Sequence, residues 1–73
     1  MTAEEWIRDF ALRAGLTAPD DGQMDEILRL ASVAAHSSER KAAPIACWLA
    51  GTSGRPIEEL RRLAEAMSPQ DAE

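Results

Sequence analysis

Apolar positions in this chain recur at three- and four-residue spacing and nowhere alternate with polar ones, so every element they predict is a helix. The first stripe is Ala3, Trp6, Ile7, Phe10, Ala11 and Ala14, with Arg8, Asp9 and Arg13 off it. Thr2 and Glu5 stand three apart at its start. That is the spacing of a capping box, in which the hydroxyl accepts from the third helical amide and the carboxylate returns to the amide of the cap. Gly15 supplies a residue that tolerates left-handed backbone, which stops the helix. The first helix is therefore expected over 3–14.

Leu16 to Gly22 is a loop by composition, with Pro19 holding Ala18 extended and Asp20 or Asp21 able to cap a second helix. Met24, Ile27, Leu28, Ala31, Ala34 and Ala35 then share one face, and Leu30 and Val33 widen it. A stripe that broad implies contact on two sides. The second helix, expected over 22–39, is accordingly the candidate for the centre of the fold. Ala42 and Ala43 are expected to make a corner, and Pro44 to open a short third helix over 44–50, at a position where its missing N–H is not needed. Ile45, Trp48 and Leu49 would be its buried face, and Gly51 to Gly54 would end it. Pro56 opens the fourth helix, 56–67, with Glu58 and Glu59 in the first turn and Ile57, Leu60, Leu63, Ala64 and Met67 inward. Residues 68–73, which include Pro69, are expected to fray. The pattern as a whole predicts an all-α, compact four-helix bundle-like arrangement with a short third helix, spanning 1–73 as one domain.

Composition narrows this picture. A chain of 73 residues buries only about 60 to 65% of the surface that its unfolded form exposes, so the core is small and oligomerisation is a ready remedy. The three aromatic residues, Trp6, Phe10 and Trp48, are the natural core anchors. Thirteen acidic side chains against eight basic ones give a net charge of −5, which argues against general nucleic-acid binding, because phosphate neutralisation needs a clustered basic excess. The charge is uneven, however. Arg40, Lys41, Arg55, Arg61 and Arg62 face only Glu58 and Glu59 between residues 40 and 62. Both a local anion-binding face and a solvated helix surface with Glu/Arg neighbours fit that pattern. The N-terminus carries acids where a secretory signal carries bases, and no apolar run reaches the length of a membrane span. A soluble, cytoplasmic protein without membrane contact is the expectation.

Candidate chemistry is sparse. Cys47 is the one cysteine and cannot form an internal disulfide; beside Trp48 it reads as a small core residue whose burial raises its pKa and silences it as a nucleophile. The lone histidine and lone cysteine fall on different helices, too few for a metal site. Asp20 and Asp21, like Glu58 and Glu59, are sequence neighbours that point apart, so they read as helix caps and not as acid/base pairs. No catalytic residue, metal or cofactor is expected, and the chain is read as non-enzymatic. One constellation remains, namely His36, Glu39, Arg40 and Lys41. Positions 36, 39 and 40 share a face if the second helix runs that far, and the amides of the third helix come next. Cationic side chains beside a helix N-terminus suit a small anionic ligand. The same residues also suit polar closure of the corner, with His36 and Arg40 binding the last carbonyls of the second helix. A third reading makes them the rim of a protein interface centred on Leu12, Leu16 or Leu30.

Trp6, the run Ile27 to Ala31, Ala35-His36, Glu39-Arg40, Ala43-Pro44-Ile45 and Gly51 together resemble a small bacterial helical domain family of unknown function. That family is found alone and as a tail on molybdenum-cofactor guanylyltransferases, the enzymes that join a guanine nucleotide to molybdopterin. The resemblance spans residues 3–66. It implies an accessory role in molybdenum-cofactor biosynthesis, through contact with the nucleotidyltransferase or by holding an anionic pterin phosphate; a homodimer is a separate expectation, motivated by Leu12 and Leu30, which lie off the main stripes of their helices. The chain has no glycine-rich nucleotide loop, so the guanylyl transfer itself is not expected of it.

Overall fold

A computed structural model describes residues 1–67; the frayed end expected at 68–73 lies outside the described residues. Four helices occur in order: α1 (Ala3–Ala14), α2 (Asp21–Ser37), α3 (Ala42–Thr52) and α4 (Ile57–Ala66). The described residues contain no strand, and the all-α bundle architecture is as the pattern predicts.

The local chemistry of the first two helices explains where they begin. At α1 the Thr2 hydroxyl accepts from the Glu5 amide at 3.1 Å, and the Glu5 carboxylate accepts from the Thr2 amide at 2.8 Å. The same reciprocal box recurs at α2, where Asp20 and Gln23 exchange bonds of 2.8 and 2.9 Å. α1 ends at Gly15, φ 75°, with the Leu16 amide donating to the Ala11 carbonyl and the Gly15 amide to that of Leu12. These are the paired bonds of a Schellman motif, which a residue other than glycine adopts only with strain.

α2 is the centre of the body, packing on both α3 and α4, which touch each other far less; α1 packs on none of the three to a comparable extent. Leu30, 3% exposed, is the most buried large side chain, joined in the core by Ala11 and Ala50. The expected aromatic anchors are not in that core. Trp6 and Phe10 are 56% and 57% exposed and Trp48 66%, and Ile45 and Leu49 are exposed with them. Trp6 and Phe10 are exposed because α1 has no comparable packing partner; on α3 the seams explain the difference. Ala31, Ala34 and Ala35 of α2, Ala46 and Ala50 of α3 and Ala64 of α4 are all at least half-buried. Alanine lets helices approach closely, and the larger neighbours on each stripe are left at the edges of a thin interface.

α3 also starts and stops elsewhere than expected. Ala42 and Ala43 are its first two residues, so Pro44 stands third, still within the first turn where no intrahelical N–H is lost. Gly51 and Thr52 continue the helix, and the left-handed residue falls at Gly54, φ 74°. One polar strut crosses the body. Arg61 of α4 donates through Nε and a terminal nitrogen to the two carboxylate oxygens of Glu26 on α2, at 2.7 and 3.4 Å, and also to Glu65 at 3.1 Å.

Candidate functional site

The corner between α2 and α3 holds the four residues singled out by sequence, but not on one helical face. α2 ends at Ser37, and Ser38 turns the chain with φ −144° and ψ −95°. Glu39, Arg40 and Lys41 therefore lie in the connection, off the α2 face on which His36 sits. Closure is supplied by Ser38, whose hydroxyl donates to the Ala34 carbonyl at 3.0 Å, rather than by His36 or Arg40. The exposed His36 ring lies 3.2 Å through Nδ1 from the Ser32 hydroxyl, one turn back on its own helix. Lys41 approaches Glu39 at 3.9 Å, both well exposed. Arg40 is exposed and makes no ion pair among the described residues.

The amides expected to crown an anion site are already engaged. Ala42 donates to the Glu39 carbonyl at 2.9 Å and Ala43 to that of Arg40 at 3.1 Å, and Pro44 has no N–H. What the corner offers an anion is side-chain charge, chiefly that of Arg40 and Lys41.

An apolar concavity lies beside this corner, and the sequence did not indicate it. Because α3 and α4 both rest on α2 yet scarcely meet, they leave a groove of about 640 Å3 floored by α2. Leu30 and Ala34 form part of its floor, Ile45 and Leu49 one wall, Leu63 and Met67 the other. Ser37, at the corner end, carries a buried hydroxyl with no hydrogen-bond partner among the described residues. Ile45, Leu49, Leu63 and Met67 are all exposed as well as groove-lining, so the walls are wet apolar surface. Trp48, one turn from Ile45 on α3, extends that surface outside the groove. The periodicity did mark Ile45, Leu49, Leu63 and Met67 as apolar-stripe residues. It could not show that the stripes of α3 and α4 diverge.

Three titratable groups are perturbed, Glu26, Arg61 and Cys47. Glu26 is held below its ordinary value of 4.5, first by its hydrogen bond from Arg61 and further by the charges of Arg61, Arg29 and Arg62. The Arg61 guanidinium is correspondingly pushed up by Glu26 and Glu65. Burial pushes the Cys47 thiol up from 9.0; the half-buried side chain lies against α2, with its sulfur 3.8 Å from the Ile27 carbonyl. Neither arrangement is that of an activated nucleophile or of an acid/base pair. Among the described residues no three His, Cys, Asp or Glu side chains gather as metal ligands, and no helix is long and apolar enough to cross a membrane.

The fold and its surface define a small helical domain with an uncovered apolar groove. The chain belongs to a family described as a domain of unknown function, DUF6457, whose model matches residues 1–72. No curated protein and no solved structure matches it.

Proposed function

We propose that this chain is a non-enzymatic, accessory protein-interaction domain serving the biosynthesis of the molybdenum cofactor as molybdopterin guanine dinucleotide, with the nucleotidyltransferase as its partner. The interaction part of the reading is carried by the groove between α3 and α4, whose walls expose four large apolar side chains. Uncovered apolar surface of that kind is the usual mark of a contact site. The link to the cofactor comes from the resemblance carried by Ala35-His36, Glu39-Arg40 and Ala43-Pro44-Ile45.

The test is calorimetric titration of the purified chain into a molybdenum-cofactor guanylyltransferase. Saturable binding is expected, weakened at least about tenfold by Leu49→Asp, which places a charge on a groove wall. Absence of both heat and co-elution up to a concentration of about 100 μM, in the range of weak complexes, refutes the reading. A second reading, a small anionic ligand held at the His36 to Pro44 corner, is favoured by one observation, an exposed Arg40 with no ion pair among the described residues.

A further inference from the structure

The chain carries an apolar helix without a groove and an apolar groove without a helix. On α1, Trp6 and Phe10 stack with ring centroids 5.3 Å apart and planes at 15°, yet more than half of each residue is exposed. Stacking on one another shields one face of each ring; the remaining faces form a ready-made anchor of the kind that fills interface pockets. We infer that the groove between α3 and α4 is occupied by α1 of a second copy of this chain, with the exchange reciprocal, so that two copies close into a twofold dimer. This rests on the groove being an interaction surface, and it names the occupant.

Three observations point to a second copy. The first is area. The chain exposes 5648 Å2, whereas a compact monomer of 8.0 kDa exposes about 4,450 Å2. The excess is of the order of the about 800 Å2 that each partner contributes to a standard interface.

The second is reach. The groove is floored by the C-terminal half of α2, from Leu30 to Ser38, while α1 is joined to the N-terminal end of α2 by the connection 15–20. Folded back along α2 as a hairpin, α1 of twelve residues extends about 18 Å, so Trp6 meets only the near rim around Leu30. The corner end of the groove, around Ser37, Ala42 and Ile45, stays beyond its own α1. A partner's α1 has no such tether.

The third is charge. α1 opens with Glu4 and Glu5, ahead of Arg8 and an Asp9–Arg13 ion pair of 3.1 Å, and Ser38 and Ala42 of the groove lining flank the connection that carries Arg40 and Lys41, the former without an ion-pair partner among the described residues. Reciprocal exchange satisfies both orphan surfaces twice and closes, whereas one-way insertion would leave a groove open at one end of an extending chain.

Sedimentation of the chain alone over micromolar to submillimolar concentrations tests this. The expected mass is twice 8.0 kDa. Trp6→Ala/Phe10→Ala, with an intact groove, and Leu49→Asp, with an intact α1, should each raise the dissociation constant at least about 100-fold, as loss of interface anchors does. Circular dichroism should show helix retained in both. Mixing the two variants should restore a heterodimer, because one good helix then meets one good groove. A wild-type monomer throughout the range overturns the inference. So does a Trp6→Ala/Phe10→Ala protein that still dimerises, which would mean groove packs on groove. The enzyme and the second copy would share this groove, so the dimer is the state of the chain without the enzyme and α1 gives way when the enzyme binds; sedimentation of the chain alone reads the first and calorimetry with the enzyme the second, and either can fail while the other holds.

Discussion

Leu30→Ala is the sharpest probe of where this domain keeps its core. Leu30 is 3% exposed and lies in α2 between α3 and α4, whereas Leu28, two positions earlier on the same helix, is 66% exposed. Removing a buried leucine costs about 2 to 5 kcal/mol, the larger values where the cavity cannot relax. Here the floor of an open groove adjoins the site, so neighbours and water can move in, and about 3 kcal/mol is expected. For 73 residues the total stability should be about 4 to 11 kcal/mol, so the loss is a large fraction of it. At about 4 to 8 °C per kcal/mol for a domain of this size, the melting temperature should fall by roughly 12 to 24 °C. Leu28→Ala, by contrast, should stay within about 0.5 kcal/mol. Paired thermal and urea melts by circular dichroism, at one protein concentration because association adds to stability, make the comparison. Equal losses at the two positions, or a Leu30→Ala loss below about 1 kcal/mol, would refute a core centred on this residue.

Acid unfolding should depend on Glu26. Its folded-state pKa is depressed by Arg61 below 4.5, so the stabilisation it contributes is full above the unfolded value and is lost as pH falls through the folded value. Urea midpoints followed from neutral into acid should show that loss, and Glu26→Gln should remove part of it; an unchanged pH profile in the variant contradicts the assignment. Native Cys47 should react with an aromatic disulfide reagent at least about tenfold slower than in urea, because burial disfavours the thiolate; equal rates would place it on the free surface. If the corner holds an anion, a phosphate-bearing pterin or nucleotide should raise the melting temperature and Arg40→Ala should abolish the rise. No shift across such ligands at millimolar concentration removes that reading.

The helices were legible because their signals are local. Thr2 with Glu5 and the left-handed Gly15 are spacings within one turn, and the breadth of the α2 stripe correctly marked it as the helix with two neighbours. What failed depends on how helices sit against each other. Trp6, Phe10 and Trp48 read as core because large aromatics usually are; Trp6 and Phe10 stand on α1, which lacks a comparable packing partner, and the alanine seam of α3 leaves Trp48 at its edge. The strut from Arg61 to Glu26 joins residues 35 apart, and each partner also has an ordinary neighbour at helical spacing, Glu65 for Arg61 and Arg29 for Glu26. Nothing in the string favours the distant partner. At the corner the residue types were found but the geometry was not, since α2 stops at Ser37 and a serine hydroxyl does the closing. The groove was invisible for the same reason as the strut, because it arises from α3 and α4 resting on α2 while scarcely meeting.

The Arg61 to Glu26 strut also sets the order in which the body can assemble during synthesis. A ribosome delivers α1 and α2 before either has a lasting partner, then α3, which has no side-chain cap at its start and only α2 to lean on. The carboxylate of Glu26 gains its cross-body guanidinium only once α4 has followed. Until then the apolar side chains of α2 and α3 lack their facing wall, and the nascent chain shows them to whatever is near.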